Sequence, residues 1–196
     1  MDSPPLRLRI RRAEIAARVA ELGVEITAAY AGRRLVLVAV APGGVLFLAD
    51  LVRAVDLPVV VDFLAVRPLD ERSPSGHPVA LAKDLELEVA GSDVLIVDDL
   101  VDSGRTVHHL TGVIAERRPR SVRVVALLDR PQARRVSVDL AFRGFEIGPE
   151  TVAGYGIPFA GWFRNCPDVW EVIDARAVTA DPMAALAAVG GRDGPR

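Results

Sequence analysis

One cysteine, three histidines, no apolar run long enough to cross a bilayer and no excess of basic charge set the first limits on this chain. Cys166 has no possible partner in the sequence, so there is no internal disulfide, and the first residues carry no Lys/Arg-led apolar segment with a small-residue cleavage site. Both absences point to a reducing, cytoplasmic setting. The apolar runs fall short of the roughly 20 residues that a membrane-spanning helix needs, which excludes the membrane as a partner. A net charge of −2 and a pI of about 5.9 supply no basic field, so composition gives nucleic-acid binding no support. His77, His108 and His109 make no metal cluster: the adjacent pair points in different directions on a helix, and no Cys or acid follows either at i+4. His108 and His109 read as helix-surface residues and His77 as part of a loop.

What the chain does have is a core. At 196 residues, 51% of them hydrophobic, with a mean hydropathy of +0.27, it is long and apolar enough for one domain. Residues 1–10 read as a loose start. Ile15, Val19, Leu22 and Ile26 recur along one face of a helix expected over 11–30. A buried strand over 35–40 runs through Ala41-Pro42-Gly43-Gly44 into a helix over 45–55, and a second strand covers 59–65. Residues 67–78 collect Pro, Asp, Ser and Gly and predict a long mobile loop. Strands over 93–97, 122–128 and 138–142 follow, with a helix over 103–117 that Pro119 ends. Strands alternating with helical runs argue an α/β fold with a mostly parallel central sheet flanked by helices. Both tryptophans fall in 149–173, a segment that suits a small cap over the carboxyl ends of the strands, where ligands of open α/β sheets bind. The expected division is one domain with a core over 11–145, a cap over 146–174 and an Ala/Gly-rich tail over 175–196 that frays.

The chemistry concentrates between Val94 and Val107. Val94-Leu95-Ile96-Val97 is apolar throughout, as in a strand buried on both faces, and Asp98, Asp99 and Asp102 follow it. Ser103-Gly104-Arg105-Thr106 then forms a hydroxyl-bearing turn into a helix, where free N–H groups and the positive helix end meet and a phosphate is held. An anion at the turn with carboxylates beside it suits a phosphorylated sugar and a hydrated Mg²⁺. The acidic pocket of response regulators shares the Val-Asp-Asp, but lies near the start of its domain and lacks the Asp-Ser-Gly-x-Thr that follows here. Helix capping in water explains one or two acids, not three beside one turn.

Residues 98–106 resemble the phosphoribosyl-pyrophosphate (PRPP) motif of type I phosphoribosyltransferases. Ala13-Glu14-Ile15, Ala20-Glu21-Leu22-Gly23, Phe47-Leu48-Ala49-Asp50-Leu51, Val61-Asp62-Phe63 and Gly144-Phe145-Glu146-Ile147 leading to Gly154-Tyr155-Gly156 are similar to the hypoxanthine-guanine branch, from about Ile15 to Val172. The resemblance implies a Mg²⁺-dependent enzyme, a homodimer or homotetramer, that moves ribose 5-phosphate from PRPP to a purine and releases pyrophosphate. It places Asp98 and Asp99 on the ribose hydroxyls and the metal, and Asp102 as general base. The 5-phosphate falls to Ser103, Gly104, Arg105 and Thr106, and the pyrophosphate to Pro42, Gly43, Gly44 and Arg164. The base falls to Arg130, Thr151 and the backbone at Val152.

The same resemblance shows where this chain departs. Pro42 stands where the family carries Lys or Arg, and because X–Pro tolerates cis at low cost, a cis Ala41–Pro42 bond is expected. Pro68-Leu69 stand in place of a Ser-Tyr pair, Arg130 of a lysine, Thr151 of the aromatic residue that stacks on the purine, and Pro158 of a metal-supporting Asp. The ribose-phosphate half is intact, whereas the base and pyrophosphate half is altered. Two other readings follow: a PRPP-dependent enzyme acting on a non-standard base in a biosynthetic pathway, or a PRPP- or nucleotide-sensing regulator without turnover. Asp102, together with the lack of a basic surface, speaks against the regulator.

Overall fold

A computed structural model describes residues 4–68 and 79–190. The elements in chain order are β1 Leu6–Ile10, α1 Arg12–Tyr30, β2 Leu35–Ala41, α2 Val45–Ala54, β3 Val59–Pro68, β4 Val79–Lys83, β5 Asp93–Val101, α3 Arg105–Ala115, β6 Ser121–Asp129, β7 Leu140–Glu146, β8 Val152–Ala153, β9 Val169–Val172, α4 Ala175–Ala180 and α5 Pro182–Gly190. Six strands form the central sheet in the order β4-β3-β2-β5-β6-β7, parallel except for the edge strand β4.

Strand alternation divides the core. Leu35, Leu37, Ala39, Leu95 and Val97 face one side, where α1 and α2 bring Ile15, Leu22, Ile26, Phe47 and Leu51. Val36, Val38, Val40, Val94 and Ile96 face the other, against Val107, Leu110 and Ile114 of α3. Two covered faces account for the unbroken apolar runs of β2 and β5, since every side chain on such a strand enters a core. Sheet order reverses between β2 and β5: β3 lies beyond β2, whereas β6 and β7 lie beyond β5. The carboxyl ends of those two neighbours therefore flank the switch-point crevice of an open α/β sheet.

Five expectations need correction. The loose start over 1–10 holds β1, whose partner β9 lies more than 150 residues away, so no local pattern marks the pairing. The tail expected to fray forms α4 and α5 as far as Gly190, because Val178 and Ala185 bury against Leu6, Phe163 and Cys166. β5 does not stop at Val97. Asp98 pairs with Ala126, Leu100 with Leu128 and Val101 with Asp129, so the long β6 extends the ladder past both carboxylates. β7 is likewise shifted from 138–142 to Leu140–Glu146, where Phe145 and Glu146 pair with Leu128 and Asp129. Of the expected loop over 67–78, residues 67 and 68 belong to β3, and the rest, with Leu69 and His77, lies outside the described residues.

The small antiparallel sheet β1-β9-β8 joins both ends of the chain into one hood. Leu6, fully buried between the hood turns and the terminal helices, carries much of that packing. Leu6→Ala is expected to lower unfolding free energy by about 2–5 kcal/mol, the range for a buried Leu-to-Ala cavity. Urea denaturation measures it, and an unchanged midpoint would show that the hood lies outside the cooperative fold.

Candidate active site

The crevice is built from two strand ends and one hood loop. On the β2 side the chain leaves the sheet through a cis Ala41–Pro42 bond, as expected, and turns into α2 with Gly44 N–H donating to the Val40 carbonyl at 2.9 Å. Gly43 and Gly44 are required by close approach. A Cβ on Gly43 would collide with the Asp99 carboxylate, and one on Gly44 would lie 2.5 Å from the Val97 carbonyl oxygen. On the β5 side, Asp98 is buried and Asp99 partly so. Asp99 N–H donates to the Asp98 carboxylate at 3.1 Å, and Leu100 N–H to the Asp99 carboxylate at 3.0 Å.

Two neighbouring carboxylates out of water cannot both ionise cheaply. Burial, then the charge and hydrogen bond of Asp99, pushes the Asp98 carboxyl well above the usual carboxylate range. Burial also raises Asp99, but its hydrogen bonds and the positive charge of Arg164 oppose the rise. The pair wants a cation. Among the described residues no three His, Cys, Asp or Glu side chains converge, so these residues bring at most two carboxylates to a cation here. That set fits Mg²⁺, which keeps waters and takes substrate oxygens beside one or two carboxylates, and does not fit an all-protein cage.

Beyond β5 the chain bends through Ser103 into Gly104, which sits at φ 80° as the N-cap of α3. That left-handed turn favours glycine, and a Cβ would in addition meet Val138 at 2.7 Å and Arg134 at 3.0 Å. Ser103 Oγ lies 3.4 Å from the Arg105 N–H it accepts, and His108 N–H donates to the Gly104 carbonyl at 2.9 Å, so the helix opens directly on the Ser103–Thr106 turn. His108 is spent on the outside of α3, its Nδ1 3.2 Å from the Ser137 carbonyl.

Asp102 stands at the crevice mouth, joined to Arg130 at 2.5 Å. The same guanidinium donates through Nε to the Gly148 carbonyl and through Nη2 to the Glu150 carbonyl, both at 2.6 Å. Arg130 therefore fixes Asp102 against the edge that runs on into Thr151 and Val152. Thr151 is exposed there, while Val152 is buried in β8. Across the crevice, Arg164 Nη1 donates to the Gly156 carbonyl at 2.6 Å, and Gly156 seats against the Gly43 carbonyl. Pro158 is exposed in the same loop. Contacts thus gather the expected site residues around two centres: Arg130 joins Asp102 to the segment that leads into Thr151 and Val152, and Asp99 lies against Gly43 and feels the charge of Arg164, with Asp98 beside it and the 103–106 turn following Asp102.

Two further residues support the crevice from outside. Tyr155, at φ 47°, donates its hydroxyl to the Asp50 carboxylate on α2 and so ties the hood to the core. Burial, and then that carboxylate, pushes the Tyr155 phenol far above its ordinary range. Asp129, a buried acid in the apolar run of β6, binds Arg134 and Arg143. A lone carboxylate in an otherwise apolar strand was the available signal.

A switch-point crevice with paired carboxylates, a helix-opening turn and a hood arginine defines a class of α/β proteins that hold phosphorylated sugars. Residues 10–160 match the phosphoribosyl transferase domain family. Hypoxanthine phosphoribosyltransferase of Salmonella typhimurium is 40% identical over 170 residues, 86% of this chain and 96% of that protein. Hypoxanthine-guanine phosphoribosyltransferase of Mycobacterium avium is 42% identical over 158 residues, 78% of each. A crystal structure of a Bacillus anthracis hypoxanthine-guanine phosphoribosyltransferase superposes with a TM-score of 0.82 at 31% identity, covering 85% of this chain and 98% of that one. The chain belongs to the phosphoribosyltransferase family, in its hypoxanthine-guanine branch.

The raised Asp98 has a measurable consequence. An unfolded aspartate ionises at about pH 3.9, so a carboxyl raised by folding contributes its full stability below that pH and loses it as pH climbs through the folded value. Asp98→Asn does not titrate. In the ligand-free protein its stability relative to wild type is expected to increase from acid toward neutral pH. Urea midpoints of both proteins across that range test the sign, and a mutant-minus-wild-type difference that falls with rising pH would contradict it.

Proposed function

We propose that the protein transfers the 5-phosphoribosyl group of PRPP to a ring nitrogen of a 6-oxopurine, hypoxanthine or guanine, releasing pyrophosphate in purine salvage. The observation that carries this reading is the meeting, at the switch point, of Asp98, Asp99 and Asp102 with the 103–106 turn. The 5-phosphate lies on the N–H groups of Ser103, Gly104, Arg105 and Thr106 at the positive end of α3. Asp98 and Asp99 accept the ribose hydroxyls and would hold Mg²⁺, whose charge would offset that of the leaving pyrophosphate. Gly43, Gly44 and Arg164 receive that pyrophosphate; Pro42 offers neither a cation nor an N–H.

As the C1′–oxygen bond to pyrophosphate breaks, the ring nitrogen bonds to C1′ and its proton passes to Asp102. Arg130 holds that carboxylate by one Nη1 bond, which keeps it at the acceptor edge. Its fork has five N–H donors, and three are used by Asp102, Gly148 and Glu150. The remaining donors suit the 6-oxo group. Thr151 provides no stacking face, so the base is held more weakly than beneath an aromatic ring, by roughly 0.5–1.5 kcal/mol beyond the lost area. The enzyme works in the cytoplasm as a homodimer or homotetramer. Exposed Val24, Leu46 and Phe63 leave apolar surface for a second copy, and no helix among the described residues is long and apolar enough to cross a membrane.

Asp102→Asn is expected to lower turnover by roughly 10²–10⁴-fold with PRPP binding retained, the usual contribution of a positioned proton acceptor. Near-wild-type turnover would remove the role. In a panel of nucleobases with PRPP and Mg²⁺, nucleotide is expected from hypoxanthine, guanine or xanthine and not from adenine, whose 6-amino group donates where Arg130 also donates. Preference for adenine, or product only with a non-purine heterocycle, would reassign the acceptor.

A further inference from the structure

The 103–106 turn is held from behind by a segment with no part in the chemistry. After β6 the chain passes through a single 3-10 turn, Pro131–Ala133, and lies along the turn as a strap. Arg135 N–H and Val136 N–H donate to the Ser103 carbonyl at 2.9 and 3.3 Å, and Arg134 Nη1 donates to the Asp102 carbonyl at 2.9 Å. In a trans peptide the C=O and the following N–H point in opposite directions. Fixing the carbonyls of Asp102 and Ser103 on the strap therefore turns the N–H groups of Ser103 and Gly104 away from it, the alignment that an anion cradle requires.

Arg134 is itself anchored. Its Nη2 pairs with Asp129, whose side chain is only 4% exposed and whose other oxygen takes Arg143 Nη1 at 3.2 Å. Asp129 closes β6 and pairs across the sheet with Val101, so the carboxylate belongs to the rigid ladder and not to the strap. A buried carboxylate with cationic partners holds them firmly, because release would leave the charge uncompensated. The chain of contacts runs from ladder to Asp129, to Arg134, to the peptide that links Asp102 with Ser103.

We infer that Asp129 and Arg134 are positioning residues that orient the first peptide units of the phosphate turn, so that the 5-phosphate of PRPP meets prealigned donors. The inference rests on the PRPP reading of that turn. Its signature is selective: ligands carrying the 5-phosphate depend on the pair, and pyrophosphate, bound at the other side of the crevice, does not.

Isothermal titration of PRPP and of pyrophosphate, each with Mg²⁺, into wild type, Arg134→Met and Asp129→Asn tests it, with thermal melts recorded in parallel. Both variants are expected to lose about tenfold or more in PRPP affinity, the scale of a lost charge-assisted hydrogen bond, with pyrophosphate affinity held within about twofold. Unchanged PRPP affinity overturns the inference. Equal loss for both ligands, or loss of fold in both variants, also overturns it, since the pair would then be a general support. Wild type that fails to bind PRPP is a separate result, which removes the reading of the turn and this inference with it.

Discussion

The pairing of β2 with β5 is the constraint on which the site depends. Ala39 opposite Val97 puts the Pro42-Gly43-Gly44 turn level with Asp98 and Asp99, and Gly43 then lies too close to Asp99, and Gly44 too close to the Val97 carbonyl, to bear a side chain. Strand order does the rest, because only where the order reverses do two neighbouring strands send their following loops to opposite sides and leave a crevice between them. The same ladder holds two carboxylates in the sheet. β6 continues past them, so Asp98 stays within hydrogen-bonded strand and remains buried. A single pairing therefore sets both the shape of the crevice and its charge.

That placement is unfavourable for the ligand-free fold and useful for binding. Like charges brought out of water raise each other's proton affinity and weaken the folded state above the carboxylate range. On the proposed function, a divalent cation with phosphate and hydroxyl oxygens would reverse the balance by supplying the missing positive charge. Strain and unfavourable charge gather where ligands bind, as the hood also shows: Tyr155, Ala160 and Phe163 all adopt positive φ in the loop that carries Arg164. What holds that loop is distributed, with the Tyr155 hydroxyl on Asp50, β1 along β9, and the terminal helices behind Phe163.

How much of this was legible in the sequence follows from the range of the interactions. β2, β5 and β6 announce themselves because a strand covered on both faces needs no polar alternation, and α1 because its apolar face repeats locally. The turn to which the phosphate is assigned under the proposed function was visible for the same reason: residues 102–106 are contiguous. β1 was not readable, since Leu6–Ile10 gains strand geometry only from Val169–Val172. Nor were α4 and α5, whose alanines look unable to fill a core until Leu6 and Phe163 meet them. The extent of β5 was misjudged because carboxylates seldom enter a buried ladder, and a functional site is where that rule is broken.

Under the proposed function, the character of the base half depends on the geometry of Arg130. A lysine at Arg130 would present one mobile ammonium, free to follow whichever oxygen it meets, whereas the guanidinium is a planar fork with fixed donor directions. Here that fork spans three acceptors on two segments: Asp102 after β5, and the carbonyls of Gly148 and Glu150 before β8. The arginine is thus a brace, and under the proposed function a reader as well. Bracing the acceptor edge in advance reduces the ordering cost that a base must otherwise meet on binding, which acts against the missing aromatic face at Thr151. The two departures are therefore coupled in effect: less contact area above the base, more rigid polar recognition at its edge. Rigid polar recognition discriminates by leaving donors unsatisfied in the wrong complex, a larger penalty than lost stacking, so the exchange shifts the site from affinity toward selection of an oxo group.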